Sequence, residues 1–240
     1  MQRRNGETVA MALALGLANA EVIARLALIL IVTDGLCVIL FGGAPRMILN
    51  FLFWSLVIYV ALRTLLSNGR VAGVAALFRE DGSLPWRFLV RAFLLNVPGV
   101  LAILMIGGLL LPALGQAPAL AFGIAAGLCV HAATLALFGS MLVDIANGGD
   151  GDAERALARG RTLFLPVTVM MLSGPALAEL ILLGFERILV ALDAPLRTVA
   201  VENDHASPVG FVLDALLLTG SAVVSVLTAV VLGRAWQRAV

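Results

Sequence analysis

Residues 209–233 read VGFVLDALLLTGSAVVSVLTAVVLG, and Asp214 is the only ionisable side chain among them. As a helix rising about 1.5 Å per residue, such a run is longer than the roughly 30 Å hydrocarbon core of a bilayer. A helix on the surface of a soluble core would show a polar stripe at the 3.6-residue period. This run has none, so hydrocarbon is its expected solvent.

Five further runs upstream have the same character, at 22–42, 47–65, 90–112, 118–143 and 163–185. Across all 240 residues 61% are hydrophobic and 13% charged, with a mean hydropathy of +1.05, whereas soluble domains carry about a quarter charged residues. The expected fold is therefore all-α: a polytopic membrane helix bundle of about six spans, preceded by an N-terminal apolar or interfacial helix. Turn residues separate the runs, as in Gly42-Gly43-Ala44-Pro45, Ser67-Asn68-Gly69-Arg70, Asp81-Gly82-Ser83, Asn147-Gly148-Gly149-Asp150 and Glu202-Asn203-Asp204. No stretch between runs is long enough to bury a core of its own, so residues 1–240 form a single integral membrane domain.

All 16 basic residues are Arg, a compositional sign of high-GC bacterial coding. Their positions matter more than the net charge of +1, because loops retained in the cytoplasm keep the basic residues near helix ends. With the N-terminus inside, Arg3, Arg4, Arg25, Arg63, Arg70, Arg79, Arg87, Arg91, Arg155, Arg159, Arg161, Arg234 and Arg238 are cytoplasmic, and only Arg46, Arg187 and Arg197 lie outside. The expected location is the bacterial inner membrane with both termini cytoplasmic and an acidic external loop over 186–208. Residues 1–20 imitate a signal peptide, with Arg3-Arg4, the apolar run Val9 to Leu17 and the small triplet Ala18-Asn19-Ala20. Cleavage there would place the arginine-rich 63–91 segment outside, so an uncleaved helix is expected, with Glu21 and Arg25 paired at i,i+4.

Ionisable residues within spans are costly and are candidates for function. Asp34, His131, Glu179 and Asp214 form such a set, with His131 near mid-depth, Asp34 and Glu179 slightly outward and Asp214 near the external surface. Gathered round one cavity, they would relay protons or bind a cation, with His131 titrating nearest neutral pH. The plainer reading is that they pair with one another, with hydroxyls or with freed carbonyls to hold helices together.

Small residues at four-residue spacing mark helix contacts. Ala119, Gly123 and Gly127 lead to His131 in the fourth span, and Ser221, Ser225, Ala229 and Gly233 share a face with Asp214 in the sixth. Pro98, Pro166 and Pro175 are expected to kink spans three and five. Trp86, Arg87 and Arg91 at the start of the third span and Trp236 at the end of the last are expected headgroup anchors. Cys37 and Cys129 read as buried apolar thiols. No metal-ligand spacing, phosphate loop, dinucleotide fingerprint or nucleophile elbow occurs, so neither a metal nor a cofactor is expected, and no nucleic-acid partner either. Gly149-Asp150-Gly151-Asp152 matches the GxGD string of membrane aspartyl proteases, with Asp34 or Asp144 as the second carboxylate. Its plain reading is a polar turn that starts a short helix, with Asp152 and Glu154 at one end and Arg155, Arg159 and Arg161 at the other.

Leu142-Val143-Asp144, the glycine-rich turn, Ala153 to Arg161 and Leu163, with Pro98 in span three and a last span closing on Arg234 and Arg238, resemble a six-helix family. It comprises the membrane domain of some glycerophosphodiester phosphodiesterases and the YciC-like bacterial integral membrane proteins, and the likeness covers residues 70–240 in outline. The resemblance implies a membrane role without the phosphodiesterase chemistry, which in that family resides in a soluble domain. The longer apolar N-terminus departs from the family pattern. The expected function is that of a non-enzymatic membrane component that organises partners or handles lipid, with the bilayer, a membrane-protein partner or a second copy of the chain as partners. A small secondary transporter is the alternative and an intramembrane hydrolase the third.

Overall fold

The computed structural model describes residues 2–41, 46–67, 85–192, 194 and 207–239. All regular structure among them is helical: α1 Gln2–Ala18, α2 Ala20–Phe41, α3 Arg46–Ser67, α4 Trp86–Leu114, α5 Gln116–Phe138, α6 Ser140–Ala146, α7 Ala153–Met171, α8 Leu177–Ala191 and α9 Pro208–Ala239. Five helical stretches are long and apolar enough to cross a membrane: Ile48–Leu66, Trp86–Leu114, Gln116–Phe138, Ala153–Ala191 and Pro208–Ala239. The first expected span falls on α2; among the described residues Ala20–Cys37 counts as a span jointly with Glu7–Ala18, to which it is bent by 69°. The chain is thus a polytopic helix bundle with five spans, or six when the bent pair counts as one. Most of the expected acidic loop, with Asp193, Arg197, Glu202 and Asp204, and the 68–84 segment with Arg70 and Arg79 lie outside the described residues.

Three boundaries differ from the sequence reading, each for a local reason. The run 118–143 divides at Gly139, where a side chain would overlap both Leu232 and the Leu135 carbonyl; α5 ends there and the short α6 begins. The short helix expected after the glycine-rich turn is instead the first part of a span, because α7 continues past Arg161 and through Pro166 to Met171. Asp152 caps its start, accepting from the amides of Glu154 at 2.7 Å and Arg155 at 3.2 Å. Farther along, Pro175 has no amide hydrogen to donate, and the chain passes it in a π-helical turn over Leu172–Ala176 before α8 resumes. Helix α4, by contrast, runs unbroken through Pro98 and Pro112.

Contact between helices is closest where side chains are smallest. On α5, Ala119, Gly123 and Gly127 are buried against α4. A methyl group on Gly123 would stand 2.8 Å from the Ile103 carbonyl, and one on Gly127 2.9 Å from that of Gly99. The opposing stripe on α4 is Gly99, Ile103 and Gly107. On α9, Ser225, Ala229 and Gly233 are buried, with the Ser225 hydroxyl donating to the Ser221 carbonyl at 2.8 Å; Gly233 meets Leu62 and Leu65 of α3. Helix α7 approaches α5 so closely that a methyl group on Gly160 would overlap the Leu137 backbone. The apolar core lies mainly between α3, α6 and α9, around Ile58, Leu62, Leu142 and Leu232.

Asn19 sits at the bend between α1 and α2 and is 2% exposed. Its amide donates to the Leu15 carbonyl at 2.8 Å, and the Thr64 hydroxyl of α3 reaches its Oδ1 at 3.0 Å. The triplet that imitates a cleavage site is therefore folded into the bundle. The expected Glu21–Arg25 pair forms on the exposed side of α2.

These contacts predict a graded glycine series. Gly160→Ala is expected to lower stability by about 3 kcal/mol, the upper end of overpacking costs, because backbone cannot rotate out of the way. Gly108→Ala, with nothing within 4 Å, should be neutral or stabilising by up to about 1 kcal/mol through helix propensity. Thermal unfolding in detergent reads both.

Candidate functional site

The four intramembrane candidates occupy different surroundings. His131 is half-buried on α5, with its ring 5.9 Å from that of Trp54 on α3 and its Cβ beside Gly99 of α4. The imidazole bonds to the backbone of Leu95, in the turn before Pro98, and its Nδ1 is buried without a partner. Asp34 on α2 and Asp214 on α9 are 3% and 1% exposed, and each is engaged in an interaction. Glu179 is half-buried on α8, and no hydrogen bond or ion pair holds its carboxylate among the described residues. No three His, Cys, Asp or Glu side chains among the described residues are grouped to hold a metal ion. Two small cavities form between helices, and none of the four residues lines either.

Polar side chains converge instead at one end of the bundle, where the last turns of α3, α6 and α9 meet the first turns of α1 and α7. Three arginines tie these ends together. Arg63 of α3 donates to the Ala146 carbonyl at the end of α6 at 3.4 Å, satisfying an acceptor that has no partner within its own helix. Arg159 of α7 faces Asp144 of α6 at 3.7 Å, both side chains largely buried. Arg234 of α9 donates to the Thr8 hydroxyl of α1 at 2.7 Å and to the Glu7 carbonyl at 3.4 Å. Sequence reading took these arginines only as markers of orientation. Nothing in their spacing indicates that each would bridge two helices, since every partner is remote in sequence.

The turn between α6 and α7 follows from its glycines. Gly148 and Gly151 have φ of 90° and 68°, a region where a side chain is strained. The Gly149 amide closes the turn on the Asp144 carbonyl at 2.8 Å. Two carboxylates at the GxGD string are already engaged: Asp144 faces Arg159, and Asp152 caps α7. The Arg155 and Glu154 amides, with the Arg155 and Arg159 charges adding to them, hold the Asp152 carboxyl below its ordinary range despite slight desolvation.

Of the expected headgroup anchors, Trp86 and Arg87 are exposed and Arg91 is half-buried. The helix they lead into is fixed by Phe88, which packs edge-on against Tyr59 with ring centroids 5.1 Å apart. Trp236 turns inward. It lines a cavity of about 20 Å³ with Arg159 and Ser140, and its indole N–H is buried without an acceptor. Cys129, expected to be buried, is exposed on the flank of α5, and Cys37 is intermediate. In a bilayer an outward apolar face needs no cover, so burial rules for soluble cores do not transfer to this thiol.

The fold and this end together define a class, that of polytopic α-helical membrane bundles whose helix ends are tied by arginines on one side. No known family, no curated protein and no solved structure matches the chain.

Two outcomes are expected. A carboxylate held below its usual pKa stabilises the fold above its unfolded value and loses that contribution as pH falls through the folded value. Protection of the Glu154 and Arg155 amides from exchange, relative to the unfolded chain, should therefore be constant above about pH 4, an ordinary Asp value, and fall below it. Asp152→Ala should abolish it at every pH. Separately, Arg234→Gln should loosen α1, read as faster proteolysis or exchange over residues 7–18, with melting of α7 and α9 little changed.

Proposed function

We propose that this chain is a non-enzymatic component of the bacterial inner membrane, with both termini cytoplasmic, that acts at its cytoplasmic face on lipid or on a membrane partner. One observation carries the reading: at the arginine-rich end Arg63, Arg159 and Arg234 each tie two helices together, and we take that end to lie among headgroups. Asp34, His131, Glu179 and Asp214 lie on α2, α5, α8 and α9, and none of them lines either cavity. Arginine retention on the cytoplasmic side sets the orientation, and the exposed Trp86 and Arg87 suit a headgroup boundary at the same end.

The alternative is a small secondary transporter, and the observation that favours it is Glu179, a carboxylate within a span with no hydrogen bond or ion pair among the described residues. Membrane-embedded carboxylates of that kind mark ion paths in other proteins.

Reporter fusions test the orientation: a tag after Val240 and one within 68–84 should report the cytoplasm, and one within 195–206 the opposite side. Proteoliposomes containing a pH-sensitive dye separate the two functions. The lipid or partner reading expects an imposed pH gradient to decay at the same rate with the chain, with Glu179→Gln and with empty vesicles. Decay accelerated by the chain and abolished by Glu179→Gln would establish the transporter instead.

A further inference from the structure

Ser140, Arg159 and Trp236 come from three different helices and meet in one small cavity between α5, α6, α7 and α9. Each has a buried polar atom with no hydrogen-bond partner: Ser140 Oγ, Arg159 Nη1 and Trp236 Nε1. Arginine and tryptophan nitrogens only donate. Of the carboxylates near Arg159, Asp144 stands 3.7 Å from its Nη1, within ion-pair reach and beyond hydrogen-bond length, and Asp152 also feels its charge. A buried donor without an acceptor is costly, so the cavity is built to receive an acceptor oxygen.

A second cavity continues from the first, sharing Leu163, Val167 and Ala235 with it. Its floor is apolar, formed by Pro166 and Met170 of α7 and Val231 of α9, and Arg234 and Arg238 stand on its α9 side. From Leu163 to Met170 the floor runs about 10 Å at the ordinary helical rise. The pair thus forms a groove with a cationic, donor-rich head and a greasy tail. The charged groups around the head are Arg159, Arg234 and Arg238 against Asp144, with Arg234 already bonded to Thr8 and to the backbone of the exposed Glu7.

We propose that the groove between α7 and α9 holds one anionic phospholipid, its phosphate accepting from Ser140, Arg159 and Trp236 and one acyl chain lying along Leu163, Pro166, Met170 and Val231. The enclosed volumes are small, about 20 Å³ at the head and 10 Å³ along the tail, but both open outward into clefts of about 290 and 260 Å³ counted with their mouths. The enclosed head admits an atom group the size of a water. One phosphate oxygen enters it, and the rest of the headgroup stays at the mouth, where the exposed Arg238 reaches it. A free inorganic anion would use the same donors and leave the apolar floor empty, which is why lipid is the occupant. The inference rests on the reading that this end of the bundle lies among headgroups.

Native mass spectrometry of the full chain, released from nanodiscs of phosphatidylglycerol, phosphatidic acid or phosphatidylcholine, tests it. One anionic lipid should be retained, at least tenfold over phosphatidylcholine. Trp236→Phe keeps the ring and removes the donor, and Arg238→Gln removes an exposed charge. Each should weaken retention by about fivefold, the order expected for one basic contact, with melting unchanged; the double variant should show only background. Ala235→Leu, which fills the groove where the two cavities join, should expel the lipid while leaving the donors in place. Equal retention of phosphatidylcholine, equal retention by the double variant, or displacement of the lipid by millimolar inorganic phosphate would each overturn the assignment, the last in favour of a soluble phosphate. Reporter fusions placing the arginine end outside would defeat the functional reading and not the lipid assay. Absent lipid retention with that end cytoplasmic would defeat only the present inference.

Discussion

Backbone lies against backbone where α4 meets α5, because Gly99 and Gly107 on one helix and Gly123 and Gly127 on the other leave no side chain between them. In hydrocarbon, hiding apolar surface from lipid brings no gain, since lipid tails are as apolar as leucine. Helix association then depends on dispersion over many close atoms, and close atoms require small residues. The same constraint recurs where Gly160 of α7 meets Leu137 and where Gly233 of α9 meets Leu62 and Leu65. These contacts bring α7 alongside α5 and α9 alongside α3, and their spacing shapes the cleft at the arginine end.

At that end the forces change. Helix termini leave carbonyls and amides without intrahelical partners, and here long cationic side chains from neighbouring helices reach them. Arg63 on the Ala146 carbonyl and Arg234 on α1 each join elements remote in sequence, and Arg159 joins α7 to α6 through Asp144. Packing of small residues within the bilayer and polar ties at its edge are thus complementary. One fixes how near the helices stand, and the other fixes their register.

The all-α membrane class was legible in the amino-acid sequence because twenty-residue apolar runs have few other interpretations. Five of the six expected spans lie within observed helices apart from breaks at residues with identifiable chemistry, Gly139 and Pro175. The first lies within α2 as far as Phe41, and what its apolar run did not disclose is the bend before it at Asn19, whose partner Thr64 lies 45 residues away. The stripe Ala119, Gly123, Gly127 was readable from helical spacing, whereas its partner on α4 was not, because one period recurring within one helix does not say which neighbour it meets. Asp34, His131, Glu179 and Asp214 stood out by type alone. Ser140, a commonplace residue at a helix break, gave no signal, and Trp236 looked like a boundary aromatic until the fold turned it inward.

The π turn over Leu172–Ala176 carries a consequence for how this chain tolerates change. Such a turn holds one residue more than the α-helical count, which rotates everything beyond it by roughly 100° about the axis. The face that α8 offers its neighbours, Glu179 included, is therefore set by a single extra residue. A one-codon deletion anywhere in those five positions would leave composition and hydropathy almost untouched and yet present a different side of α8 to α9. Length in this short segment is under tighter control than the identity of most side chains around it.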